Sequence, residues 1–277
     1  PKSAANWRRR NKSAKALFSR FEVVLAQTPT LARQFTRLGA RDVRAAGNLK
    51  IDSPPPPIDN NEIARLRAII GARPVLLAAS THDNEEEMLA EAYRLLPQTL
   101  ANPLLIIAPR HPSRAAAIVE QLGQRGLSVA KRSAGESPGD QHAVYLADTI
   151  GELGTFYCLA SVAFVGGSLI PHGGQNPIEA IRLGAAVLTG PHWENFREVY
   201  ADLLRAKGCR EVNDAAELAA TAAELLTDTA ARDDLKARAV KVLEGLGGAH
   251  ERTLGAIEEV VARAWSAAAP VEPSGAP

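Results

Sequence analysis

Short, mostly apolar runs alternate with helix-like stretches along most of the chain. Strand-sized runs fall at 75–79, 104–108, 127–130, 144–146, 162–165 and 186–188. Helices are expected from about Asp83 and Ser113, over 152–159, from Pro177 and from about Trp193. Apolar strands separated by helices predict a parallel sheet covered on both faces, with ligands outside the carboxyl ends of its strands. Ahead of this pattern come a mostly apolar run at 21–25, a helix over 30–38 and a strand around Val43. Ser53 and the four prolines to Pro57 then form a stiff connector. From Asp214 to Trp265 the pattern is almost all helical, and 266–277, rich in Ala and Pro, reads as a disordered tail. The expected division is the end of one domain at 1–48, a linker at 49–57, a second domain with closing helices at 58–265, and the tail.

Candidate chemistry concentrates between Ala163 and Phe196. Gly166 and Gly167, with Ser168 behind them, end a strand where no Cβ obstructs a ligand, so bare backbone is expected there. Gly173 and Gly174 lead into Asn176 as N-cap, Pro177 at the first helical position, Ile178, and Glu179 three residues past the cap. A helix start at a glycine loop suits phosphate or carboxylate. Glu179 either folds back as a capping box or accepts two ribose hydroxyls, and the glycine-lined gap favours the ribose. After the next strand, Asn195 falls near the same gap.

Other strand ends add to this edge. The run 104–108 leads into Pro109, Arg110 and His111, planting a guanidinium fork where an anion would sit; the alternative is a surface salt bridge. Ser80 and Thr81 either cap the next helix or offer hydroxyls to substrate. That helix opens on Glu85, Glu86 and Glu87, which neutralise its dipole and repel phosphate. Gly151, Glu152 and Leu153 join a strand to a helix, either as a plain cap or as backbone reading a nucleobase or sugar. No HExxH, GxGxxG, Walker lysine loop or GxSxG occurs, which removes zinc-protease, dehydrogenase, P-loop and hydrolase readings.

The 277 residues are 46% hydrophobic and 23% charged with a net charge of +1, a globular balance that does not point to nucleic acid. Basic residues nevertheless crowd the start: Lys2, Arg8, Arg9, Arg10, Lys12, Lys15 and Arg20, with Trp7, Leu17, Phe18 and Phe21 among them. This stretch is either a solvated helix face or a contact with an anionic membrane surface. Cys158 and Cys209 lack any paired spacing, so a reducing compartment and no disulfide are expected. No apolar run approaches membrane-spanning length. Opening on Pro1 without a signal peptide, the chain reads as starting partway through a longer protein.

Six strings in order carry a resemblance: GNLKID at 47–52, AASTHDNEEE at 78–87, IAPRHPSR at 107–114, GELGTFY at 151–157, VGGSLIPHGGQNPIEA at 165–180 and GPHWENF at 190–196. The chain resembles the carboxyl-terminal half of the 3-deoxy-D-manno-octulosonic acid (Kdo) transferases, lipid A glycosyltransferases of Gram-negative bacteria. The resemblance implies an α/β GT-B fold, CMP-Kdo as donor, the lipid A precursor lipid IVA as acceptor, and work at the cytoplasmic face of the inner membrane. It implies that Pro109, Arg110, Gly151 to Leu153 and Asn176 to Glu179 hold CMP; Lys50, Ser80, Thr81 and His111 are further possible contacts to substrate. It further implies inversion without metal or other cofactor, and a general base in a first domain whose last portion alone is present, so that this chain by itself transfers little sugar. Rival readings are another GT-B enzyme, such as a UDP-sugar transferase or epimerase, or a non-catalytic binding module. The family's GGHNPLEP is here GGQNPIEA, with Gln175 for His and Ala180 for Pro.

Overall fold

A computed structural model describes residue 7 and residues 9–268. It divides into two compact units, one of residues 1–53 with 245–277 and one of residues 54–244.

In the first unit, α1 (Asn11–Phe18), β1 (Val24–Ala26), α2 (Pro29–Arg37), β2 (Val43–Ala45) and α3 (Leu49–Asp52) follow one another. The two strands pair in parallel, Val24 opposite Val43. Thr28 starts α2 by accepting the Leu31 amide at 3.0 Å, with Pro29 at the first turn, where a missing N–H does no harm. Phe18 lies edge-on to Trp7 at 5.6 Å and to Phe35 at 5.5 Å, so part of the expected surface stripe packs within the unit. Leu17 and Phe21 stay exposed, while Lys2 and Arg8 lie outside the described residues.

The closing helix, Ala249–Ala268, belongs to this unit rather than to the second, as its pattern had suggested. Arg252 Nε donates to the Ala46 carbonyl at 2.8 Å, Arg44 pairs with Glu259 at 2.7 Å, and the Asp52 carboxylate accepts the amides of Gly248 and His250. The helix also runs past Trp265 into the stretch read as tail, the rest of which lies outside the described residues. The expected connector is divided too: its first four residues are α3, and Pro54 opens the second unit.

The second unit begins with α4 (Asn60–Ile70), a helix the sequence reading passed over; Asp59 starts it by accepting the amides of Asn61 and Glu62. The strands are β3 (Val75–Thr81), β4 (Leu104–Pro109), β5 (Val129–Lys131), β6 (Val144–Leu146), β7 (Val162–Val165), β8 (Ala186–Thr189) and β9 (Arg210–Glu211). They form one seven-stranded parallel sheet in the order β5-β6-β4-β3-β7-β8-β9. Between them run α5 (Glu85–Leu95), α6 (Ala115–Gln124), α7 (Leu153–Leu159), α8 (Ile178–Arg182) and α9 (Arg197–Arg205), with α10 (Ala215–Thr227) and α11 (Thr229–Leu246) following the last strand. Three-residue 3-10 turns at Pro112–Arg114 and Glu194–Phe196 stand where α-helices were expected to start.

Leu77, Ile106, Phe164 and Val187 are fully buried, as strands covered on both faces require. On one face Leu76, Leu105, Phe164 and Leu188 join Leu89 of α5 and Leu218 of α10 in a single core. Chain order runs outward from β3 through β4, then returns to lay β7 against the other side of β3. The crevice beyond the ends of β3 and β7 is therefore the topological switch point, where ligands of open parallel sheets bind.

Candidate functional site at the sheet switch point

At the end of β3 the register slips between Ala79 and Thr81, and Ser80 takes φ +57°, so the strand bulges as it reaches the crevice. Thr81 is buried, and its hydroxyl donates to Glu86 at 2.7 Å. Glu86 in turn accepts two bonds from Arg114, which also holds Asp83 at 2.8 Å. Neither Ser80 nor Thr81 caps α5, whose N-cap is Asn84 without a side-chain bond.

Glu85 overturns the expectation of bare backbone at Gly166, Gly167 and Ser168. Its buried carboxylate accepts the amides of Gly167 at 2.6 Å, Ser168 and Leu169 at 3.0 Å each, and His82 at 2.9 Å. Burial pushes this carboxyl above the usual range, and the four amides pull the other way. The anion in the glycine loop is thus the protein's own. Gly166 lacks a Cβ for a packing reason: one would lie 2.7 Å from the Ser80 carbonyl oxygen. Ser168 is also spent, donating to the Val165 carbonyl and accepting the Gly190 amide at 2.7 Å.

The rest of that loop is clamped rather than open. Asn195 Nδ2 donates to the carbonyls of His172 at 3.2 Å and Gly174 at 3.3 Å, and the Asn195 amide donates to Gly173. A Cβ on Gly173 would meet the Asn195 side chain at 2.7 Å. Asn176 accepts the Ile178 amide at 3.1 Å across Pro177, but the N-cap is Pro177, one position later than expected, so the helix begins at Ile178. That helix has five residues, too short for the strong dipole the sequence suggested. Glu179 accepts from the Asn176 side-chain amide at 3.2 Å, so no capping box forms through the backbone. It remains half-buried.

Arg110 follows Pro109 at the end of β4, its amide fixed on the Thr81 carbonyl at 2.9 Å. The residue is exposed, and its guanidinium has no hydrogen bond or ion pair among the described residues. Beside it stands His82, which the sequence reading did not select. The His82 ring lies 3.9 Å from that of His172 and 6.0 Å from that of His111, and its Nε2 is 3.0 Å from Gln175 Nε2. An amide nitrogen only donates, so His82 Nε2 accepts and its proton sits on Nδ1. Burial, then His172, His111, Arg110 and Arg114, push the His82 pKa down to about 4. These neighbours come from three adjacent strand ends, a grouping that the order of strands creates and no local motif announces.

Farther along the edge, Gly151 has φ +89° with open space where a Cβ would be. The Glu152 side chain is engaged: Arg132 grips both its oxygens, Thr149 donates to it, and Arg132 also bonds Glu62 at 2.5 Å. Arg132 holds Glu152 below the usual carboxylate range. Leu153 begins α7, and next to it Gly154 is pressed against the Pro57 carbonyl. Lys50 lies in α3 of the first unit. Among the described residues, no three His, Cys, Asp or Glu side chains group to hold a metal ion.

A doubly wound parallel sheet with its crevice between β3 and β7 is the architecture of a Rossmann-like domain of the GT-B glycosyltransferase fold. A structure of a putative UDP-N-acetylglucosamine 2-epimerase from Listeria monocytogenes shares the fold at TM-score 0.57 and 16% identity, over 87% of this chain and 59% of that one. The crystal structure of the C-terminal CMP-Kdo binding domain of WaaA from Acinetobacter baumannii matches at TM-score 0.63 and 33% identity, over 66% of this chain and 96% of that one. The 3-deoxy-D-manno-octulosonic acid transferase of Haemophilus influenzae is 33% identical over 255 residues, 89% of this chain and 59% of that protein. Residues 1–53 match the family model described as 3-deoxy-D-manno-octulosonic-acid transferase (kdotransferase). The chain belongs to the Kdo transferase family. It spans about three-fifths of the length of that Haemophilus relative.

Proposed function

We propose that this chain carries the CMP-Kdo-binding half of an enzyme that moves Kdo from CMP-Kdo to lipid IVA. The observation that carries the reading is the 33% identity across 96% of a domain known to bind CMP-Kdo. The exposed Arg110 guanidinium supports it by offering a planar fork to the phosphate of CMP at the switch point. Glu179, half-buried beside the same crevice, takes the ribose hydroxyls, and the backbone of Gly151 to Leu153 faces the base.

In this scheme an acceptor hydroxyl attacks the anomeric carbon from the side opposite the phosphate, the anomeric carbon–oxygen bond to CMP breaks, and the configuration inverts. Arg110 balances the charge gathering on the departing phosphate, with no metal required. We assign the base that removes the acceptor's proton to the part of the relatives' length that this chain does not span. Catalysis takes place at the cytoplasmic face of the inner membrane, where the basic start of the chain meets anionic lipid. Alone, the chain binds CMP and transfers little sugar.

Calorimetry with CMP, UMP and UDP, repeated with a chelator, tests this. CMP is expected to bind best and the chelator to change nothing. A clear preference for UDP would instead favour a UDP-sugar transferase or epimerase.

A further inference from the structure

Three adjacent strands of the second unit each deliver a histidine to the switch point: His111 after β4, His82 after β3 and His172 after β7. The His82 ring sits against His172 at 3.9 Å and edge-on to His111 at 6.0 Å. His82 is half-buried and bonded through Nε2 to Gln175, whereas His111 and His172 are exposed. Nearby carboxylates do not answer this cluster. Asp83 and Glu86 are bound to Arg114, and Glu85 is enclosed by four backbone amides. The exposed His111, His172 and Arg110 side chains therefore have no carboxylate partner among the described residues.

A site for the donor's sugar presupposes CMP-Kdo as that donor. That molecule brings two anions, because Kdo is an ulosonic acid: its carboxylate and the CMP phosphate are both bonded to the same anomeric carbon. They must be received side by side. Arg110 and His111 are consecutive residues just past β4, and the His111 and His172 rings both pack against the ring of His82.

We propose that His111 and His172, braced by His82, form a subsite for the sugar's carboxylate next to the phosphate held by Arg110, and so select a 2-keto acid sugar over a neutral one. His82 is the positioning residue. Its ring fixes the other two while its own Nε2 is taken by Gln175. An imidazole donates a hydrogen bond to a carboxylate whether or not it is protonated, so the subsite works at neutral pH.

The test compares CMP with freshly prepared CMP-Kdo as ligands for the whole chain, the His111→Ala and His172→Ala variants and the double variant. Losing hydrogen bonds to a charged group is expected to weaken CMP-Kdo binding by about tenfold or more in the double variant. CMP affinity should stay within about twofold, which also shows that the variant is folded. Equal losses for both ligands would assign the histidines to the phosphate and overturn the subsite, as would unchanged affinity for both. If the unaltered chain binds neither ligand, the CMP-Kdo reading fails and takes this inference with it.

Discussion

The Glu85 carboxylate accepts the Gly167 amide at 2.6 Å, across 82 positions of sequence, and thereby locks the loop after β7 to the first turn of α5. Its Oε2 also serves His82, and its Oε1 serves Ser168 and Leu169. Replacing either oxygen by NH2 strands two buried amides, each costing roughly 1–3 kcal/mol. Glu85→Gln should therefore destabilise the chain by about 2–6 kcal/mol in denaturant melts, and CMP binding should fall with it. A variant as stable as the parent would mean that the loop holds itself without the carboxylate.

Arg110 presents the opposite case, a charged side chain that the fold does not use. Arg110→Ala should leave Tm unchanged while weakening CMP binding roughly 10- to 100-fold, the worth of charge-assisted bonds to phosphate. Arg110→Lys should recover part of the loss, since it restores charge but not the fork. Calorimetry on the three proteins reads this directly. Unaltered CMP affinity in the alanine variant would move the phosphate elsewhere.

Arg110 was legible in the sequence because β4 is apolar at every position to its end, so the first charged side chain after it must mark the sheet's edge. The same logic revealed β3, β7 and β8. It failed for β9, a two-residue strand with exposed side chains that leaves no apolar signal. Glu85 was visible only as a helix-end acid, because nothing local reveals a bond to residues so distant in sequence. His82 was missed for a similar reason: its partners His111, His172 and Gln175 come from other strand ends, and only the strand order unites them.

The His82 environment has a pH signature. In the folded chain its pKa is pushed down to about 4 from an ordinary value of 6.5, chiefly by burial. Between these values the unfolded chain binds the proton and the folded chain resists it. Stability from His82 is thus complete above about pH 6.5 and is lost as pH falls toward about 4. Plots of Tm against pH for the parent and His82→Gln should diverge only in that window, with the variant falling less steeply. In NMR titrations one imidazole should stay neutral at pH 5; if all six titrate together, the buried, crowded state of His82 is wrong.

Asn195 separates a clamp from a ligand contact. Its Nδ2 donates to two carbonyls, those of His172 and Gly174, and so holds the loop that carries His172. Asn195→Ala removes two weak bonds and should cost about 1 kcal/mol. Asn195→Asp should cost more, because an acceptor then faces two acceptors and a charge is added. The order Asp worse than Ala, in both Tm and hydrogen-exchange protection of the Gly173 to Gln175 amides, is what a clamp requires. A residue that instead touched the ligand would lower CMP affinity in the alanine variant while leaving Tm and loop protection alone, and that pattern would return Asn195 to the binding surface.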